Sequence, residues 1–196
     1  MHRIKHRVNT RKELLSCSKE LGVELDIRSN GKNLIIHHEP YVDGESFEEW
    51  IIGFNHGTLI LNVKEEGLEK RLIEIMKKNK IEDYFFLDQS FPFIIKTYNA
   101  GESRCAVRVS EFESIETAMS LAGKVQWVWV DCFNHFPLTR EGANRLKNDG
   151  GFKLCFVSPE LHGRTNKEGV VSFKKNIENL GIEGDAVCTK YPDLWG

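Results

Sequence analysis

The sequence predicts an α/β fold built from a repeated strand–helix unit, of the compact (β/α)8 kind, filling residues 1–196 as one domain. Three observations carry this expectation. Short apolar runs, each about as long as a buried strand, alternate with longer amphipathic segments. The runs occupy eight positions when residues 23–27 and 33–38 count as one paired unit, and eight parallel strands close a TIM barrel. Most runs also end in a polar or charged residue, and a parallel barrel gathers those ends on one face. The chain of 196 residues is short for a fold that usually needs about 250. Its connections must therefore be tight, with no final helix. An open doubly wound sheet is the structural alternative. No Gly-rich phosphate loop follows any run, which argues against a nucleotide-binding version of it.

The elements follow in order. "RIKH" (3–6) is the first strand, ending at His6 and Arg7. "NTRKELLSCSKEL" (9–21) opens with Asn9 and Thr10 as caps and puts Leu14, Leu15, Cys17 and Leu21 on one side of a helix. "VELDI" (23–27) and "NLIIHH" (33–38) form the paired unit, and a helix starts near Ser46. "TLILNVK" (58–64) precedes "EGLEKRLIEIMKKNK" (66–80), whose Leu68, Leu72, Ile73, Ile75 and Met76 have helical spacing. "YFFLDQ" (84–89) and "CAVRVS" (105–110) are strands, and no helix is assigned between them. Helices at 114–123, 139–150 and 167–181 each end at Gly, a common helix stop. They separate the strands "VQWVWVD" (125–131), "FKLCFVS" (152–158) and "DAVCTK" (185–190).

Composition narrows the function classes. Hydrophobic residues make up 40% and charged residues 29%, as in ordinary soluble globular proteins. A formal net charge of −2 is too balanced for bulk binding to nucleic acid or an anionic membrane. No apolar run is long enough for a membrane span. The N-terminus, "MHRIKHRVNTRKELL", lacks the apolar core of a signal peptide, so a cytoplasmic location is expected. The five cysteines are widely spaced and form no CxxC pair, which fits buried reduced thiols. Trp127, Trp129, Phe133 and Trp195 are read as core or interface fillers before pocket walls.

The charged strand ends are His6 and Arg7, Glu24 and Asp26, His37 and His38, Asn62 and Lys64, Asp88, Arg108 with Ser110 and Glu111, Asp131, Ser158 with Glu160, and Thr189 with Lys190. One such charge alone is usually a solvated loop residue, and His135 and His162 are read that way. Repetition at one end of strand after strand is not what random surface placement gives. Strand alternation points Glu24 and Asp26 to one side, and likewise Asn62 and Lys64. Two carboxylates at this spacing are half of a hard-cation site suited to Mg2+ or Ca2+. Two histidines from separate strands can share acid and base work. Lysine and arginine beside them would neutralise a phosphate. Together these groups point to phosphodiester chemistry on a small molecule. An aldolase using Lys64 or Lys190 as a Schiff-base nucleophile is a lesser alternative, because it leaves the histidines and the acid pair unexplained.

The chain resembles the glycerophosphodiester phosphodiesterase family, within the wider group of phosphatidylinositol-specific phospholipase C-like barrels. The resemblance rests on "KHRVNTRKELL", "GVELDI", "GKNLIIHHEP", "LILNVKEE" and "DAVCTKYPD". It implies a phosphodiester hydrolase with a divalent cation, Mg2+ or Ca2+, held by Glu24, Asp26 and Asn62. His6 and His38 become the acid–base pair, with His37 as the alternative to His38. Arg7 and Lys64 contact the phosphate, and Asp88, Arg108, Asp131 and Glu160 complete the substrate-binding set. The sequence departs from the family pattern at three places, one of them the doubled histidine, His37 and His38, which leaves the register open. Asn62 stands where the family has Glu, which lowers cation affinity and leaves a non-catalytic binding protein as an alternative. Only about eight residues join His38 to the helix near Ser46, so the usual inserted subdomain is missing. Several stretches, among them "YFFLDQSFPF" and "WVWVDCF", look like a compact bacterial branch associated with surface-polysaccharide genes, which implies a sugar- or polyol-linked substrate.

Overall fold

The computed structural model describes residues 1–196. The chain divides into two compact units, Lys5–Glu102 and Met1–Ile4 with Ser103–Gly196. Strand β1 (His2–Lys5) opens the chain. The unit Lys5–Glu102 then holds α1 (Arg11–Ser16), β2 (Gly22–Asn30), β3 (Asn33–Ile36), the short β4 (Glu45–Ser46), α2 (Phe47–Trp50), β5 (Leu59–Val63), α3 (Glu69–Asn79), β6 (Tyr84–Leu87) and α4 (Phe91–Asn99). Its sheet order is β4-β3-β2-β5-β6. β2, β5 and β6 run parallel, and β3 returns antiparallel to β2 with Ile27 opposite Ile36.

The other unit holds β7 (Ala106–Val109), α5 (Ile115–Met119), β8 (Trp127–Val130), α6 (Arg140–Asn144), β9 (Lys153–Val157), α7 (Lys167–Asn179) and β10 (Ala186–Thr189). Here β7, β8, β9 and β10 are parallel neighbours, and β1 lies beside β10. β3 and β4 are thus additions to eight main strands, the strand–helix succession of a (β/α)8 fold. The chain ends in a single helical turn, Pro192–Trp195, with no final α-helix.

Local chemistry explains the elements. Thr10 caps α1 in a capping box: its hydroxyl accepts from Glu13 N–H while the Glu13 carboxylate accepts from Thr10 N–H. Ser46, Ser114, Thr139 and Asn166 cap four more helices in the same way through a side-chain oxygen. Lys80, in the left-handed conformation, closes α3. β2 is buried on both faces: Val23, Leu25 and Ile27 form one row and Glu24 and Asp26 the other. In the same unit Phe47 and Trp50 are fully buried and stacked, and Trp50 stacks again on Phe54. Burying each such ring contributes on the order of 2–3 kcal/mol.

Several elements differ from the sequence reading. Helix α1 ends at Ser16, short of Leu21, and its Leu15 is 72% exposed. Helix α4 went unassigned because "FPFIIKTYN" is rich in aromatic and β-branched residues that favour strands. Its Pro92 sits in the first turn, where no helical N–H is needed. The strand expected at 33–38 stops at Ile36, which places both histidines in the loop beyond it. The helix expected at 139–150 is α only to Asn144 and then widens into a π-helical turn, Arg145–Asp149.

Candidate active site

In the unit Lys5–Glu102, the ends of β2, β5 and β6 bring the acid pair together with most of the candidate residues. Arg7 follows β1 in the left-handed conformation, with φ of 51°. A non-glycine residue in that region costs on the order of 1 kcal/mol or more and is concentrated at functional sites. Here it turns the Arg7 N–H onto Glu24 Oε2 at 2.7 Å. Asn9 then reads Asp26 twice: its Nδ2 donates to Asp26 Oδ2 at 2.9 Å, and its Oδ1 accepts from Asp26 N at 3.0 Å.

Glu24 and Asp26 are buried, at 1% and 0% exposure. The parallel register sets Asn62 of β5 beside Asp26. The Asn62 Nδ2 bridges the pair, donating to Glu24 Oε1 at 2.8 Å and Asp26 Oδ1 at 3.2 Å. Lys64, two residues on along the same face, lies 3.4 Å from Asp26 Oδ1 and 2.8 Å from Asp88 Oδ2. Arg7 Nε is 3.5 Å from Asp26 Oδ2, and His6 Nε2 is 3.7 Å from Glu24 Oε2. Burial, and then the charge on Asp26, push the Glu24 carboxyl up to about 7. Asp88 also holds a left-handed conformation, with φ of 62°, as it leaves β6. Two ion pairs on Lys64 are the opposite of the desolvated, isolated amine that a Schiff-base nucleophile needs.

His37 and His38 line an open groove of about 640 Å3 together with Arg7, Asn9 and Glu45. His37 N donates to Asp26 O, extending the β2–β3 ladder by one step. Its ring turns back on the loop, where Nδ1 accepts from Glu39 N at 3.0 Å. His38 Nδ1 lies 2.6 Å from Glu39 Oε1, so a carboxylate orients that ring. The loop returns tightly: a Cβ on Gly44 would collide with the Ile36 carbonyl oxygen.

Sequence reasoning missed Arg28. Its Nε and Nη2 donate to His38 O at 3.0 and 2.8 Å, and its Nη1 donates to Lys64 O at 3.4 Å. It thereby ties the histidine loop to the end of β5. A signal was present, because Arg28 continues the two-residue alternation of Glu24 and Asp26. Glu39 was missed too, since a loop carboxylate has no periodicity to reveal its partner.

Arg108, Asp131 and Glu160 fall in the other unit. Glu160 is buried at 4% exposure and spends its carboxylate on the scaffold. It accepts from Thr189 Oγ1 at 2.6 Å, from Lys190 N at 2.8 Å and from Ser158 Oγ, joining the ends of β9 and β10. Trp127, Trp129 and Trp195 are buried, between 4% and 6% exposed. Glu111 fixes the loop after β8, accepting from the backbone N–H of Phe133, Asn134 and His135. Burial alone would raise its carboxyl, but these donors together with its own backbone N–H outweigh it and hold the group at about 2. A depressed carboxylate stabilises the fold above its unfolded value and loses that contribution as pH falls through its folded value. Glu111→Gln should therefore cost about 2 kcal/mol at pH 7, with the gap closing between about pH 5 and pH 2. Urea unfolding of both proteins across that range measures it.

No protein-family model matches the chain. A search of curated proteins found no match either. Solved structures do match over nearly the whole chain. A glycerophosphodiester phosphodiesterase from Agrobacterium tumefaciens superposes with a TM-score of 0.70 at 11% identity, covering 99% of this chain and 98% of that one. A glycerophosphoryl diester phosphodiesterase from Parabacteroides distasonis superposes with a TM-score of 0.66 at 13% identity, covering 98% and 84%. The chain has the (β/α)8 fold of these enzymes, as the sequence led us to expect.

Proposed function

We propose that the chain is a cation-dependent phosphodiesterase that cleaves a small phosphodiester into an alcohol and a phosphomonoester. The observation that carries this is the buried Glu24–Asp26 pair beside His6, Arg7 and Lys64, with Arg7 also lining the groove that holds His38. The fold shared with two phosphodiesterases supports the same reading. The donor set fits a hard cation: two buried carboxylates, and the buried Asn62 Oδ1, which has no hydrogen-bond partner. No third His, Cys, Asp or Glu joins them, so we expect weak affinity. Glu24, Asp26 and the reoriented Asn62 amide would hold Mg2+ or Ca2+, which when bound withdraws charge from phosphoryl oxygens.

The chain's own residues do the rest. Arg7 and Lys64 balance the phosphate charge. One histidine of the His6/His38 pair takes the proton of the attacking water as the new P–O bond forms; where a substrate hydroxyl attacks instead, a cyclic phosphate forms first and water then opens it to the phosphomonoester. The other protonates the leaving alkoxide as the old P–O bond breaks. Glu39 holds the His38 ring, and Arg28 holds its backbone. The open groove admits a small polar alcohol, which is glycerol, a sugar or another polyol. No helix is long and apolar enough to cross a membrane, and five free cysteines suit a reducing compartment.

The test is turnover of bis(4-nitrophenyl) phosphate by the full chain with Mg2+, Ca2+ or Mn2+, before and after chelation. Cation-dependent turnover is expected, and titration calorimetry should show Asn62→Glu binding the cation roughly tenfold tighter. No turnover with any of the three ions would overturn the proposal.

A further inference from the structure

The ends of β7, β8 and β9 carry a second group of side chains, Arg108 and Asp131 of the expected substrate-binding set among them, to which the proposed reaction gives no role. Asp131, 6% exposed, meets His162 Nε2 with its Oδ1 at 2.5 Å. The Asp131 Oδ2 faces Arg108 Nη1 at 3.8 Å, and both Arg108 and His162 reach solvent, with side chains 32% and 25% exposed. His162, expected to be a surface loop residue, is instead locked to a buried carboxylate. Its ring lies 4.8 Å from Phe133, and Phe133 lies 5.8 Å from Phe112.

Phe112 is 75% exposed, yet its turn is tied by hydrogen bonds. Phe112 N donates to Ser110 Oγ, Ser110 Oγ donates to Glu113 Oε2, and Ser110 N donates to Glu113 O. Glu111 fixes the facing loop, as described above. A lone exposed phenylalanine on a mobile loop needs no explanation. Two phenyl rings and an imidazole on hydrogen-bonded turns, edged by a carboxylate and a guanidinium, are a built surface.

Its chemistry selects the ligand. The rings offer an apolar face, and the edge offers both donors and acceptors. Two arginines, Arg108 and Arg164, stand against three carboxylates, Asp131, Glu111 and Glu113, which leaves no excess positive charge, so nothing favours an anion. A neutral ring with one apolar face and hydroxyls on its rim is a saccharide. We propose that this row is a saccharide-binding platform. The sugar ring stacks on Phe112 with Phe133, inclined 53° to it, against its edge; its hydroxyls accept from Arg108, and they donate to Asp131 Oδ2. The proposal stands independently of the phosphodiesterase reading.

The experiment is an NMR titration of the full chain, following the Phe112, Phe133 and His162 ring signals. The probes are methyl glycosides of glucose, galactose and N-acetylglucosamine, with glycerol and inorganic phosphate as controls. At least one glycoside should shift the three rings at millimolar concentration, and Phe112→Ala should weaken it roughly fivefold. Phe112 is exposed, so that variant keeps the fold. The proposal is overturned if no glycoside shifts these signals, if phosphate or glycerol shifts them as strongly as the glycosides do, or if Phe112→Ala leaves binding unchanged.

Discussion

His38→Ala should lower turnover of an aryl phosphodiester roughly 10²–10⁴-fold, the usual worth of a positioned general acid or base. His6→Ala should do the same. The two losses should not add in the double variant, because groups that serve one reaction act as a unit. His37→Ala is the internal control. Its Nδ1 is committed to the turn at Glu39 N, so turnover should fall less than about tenfold, well under the loss from a missing acid or base. Both rings are only partly buried, so neither change opens a core cavity, and circular dichroism should show native folding in each. A larger loss at His37 than at His38 would move the acid–base role one residue back along the loop.

Asp26→Ala should cost both activity and stability. The carboxylate is fully buried and engages Asn9, Asn62, Lys64 and Arg7 at once. Removing one partner of a buried charge network usually costs about 3–5 kcal/mol, because the other charges stay behind unpaired. Relief of repulsion against Glu24 offsets part of this, which puts the loss near 3 kcal/mol in urea unfolding. Asp26→Asn keeps the volume and the Asn9 contact, so it should lose less stability. Its cation binding should fall as far as that of Asp26→Ala. A stability loss in Asp26→Ala without loss of turnover would make the pair structural and remove it from the reaction.

Much of the fold was legible because parallel strands buried on both faces read as short apolar runs, and Ser, Thr and Asn caps mark where helices begin. Helix α4 was not, because its composition favours strand and only packing makes it helical. In the site, Glu24, Asp26, Asn62 and Lys64 were legible because strand alternation fixes which side chains share a face. Arg28 followed the same rule and was overlooked. The His37/His38 ambiguity could not be resolved by periodicity, since β3 ends before either residue. His162 illustrates the same limit: nothing in a loop sequence shows that a carboxylate 31 positions earlier in the chain will hold it. Glu160 looked like one more charged strand end, but only the hydrogen bonds to Ser158, Thr189 and Lys190 reveal it as a tie between strands.

The central claim is that the Glu24–Asp26 pair and its histidines cleave a phosphodiester. Phosphorus NMR of a glycerol phosphodiester, incubated with the full chain and Mg2+ or Ca2+, tests it most directly. The diester signal should give way to a phosphomonoester signal with the wild-type chain and persist with His38→Ala. A diester signal unchanged in the presence of either ion, or lost equally fast with His6→Ala and His38→Ala, would contradict it.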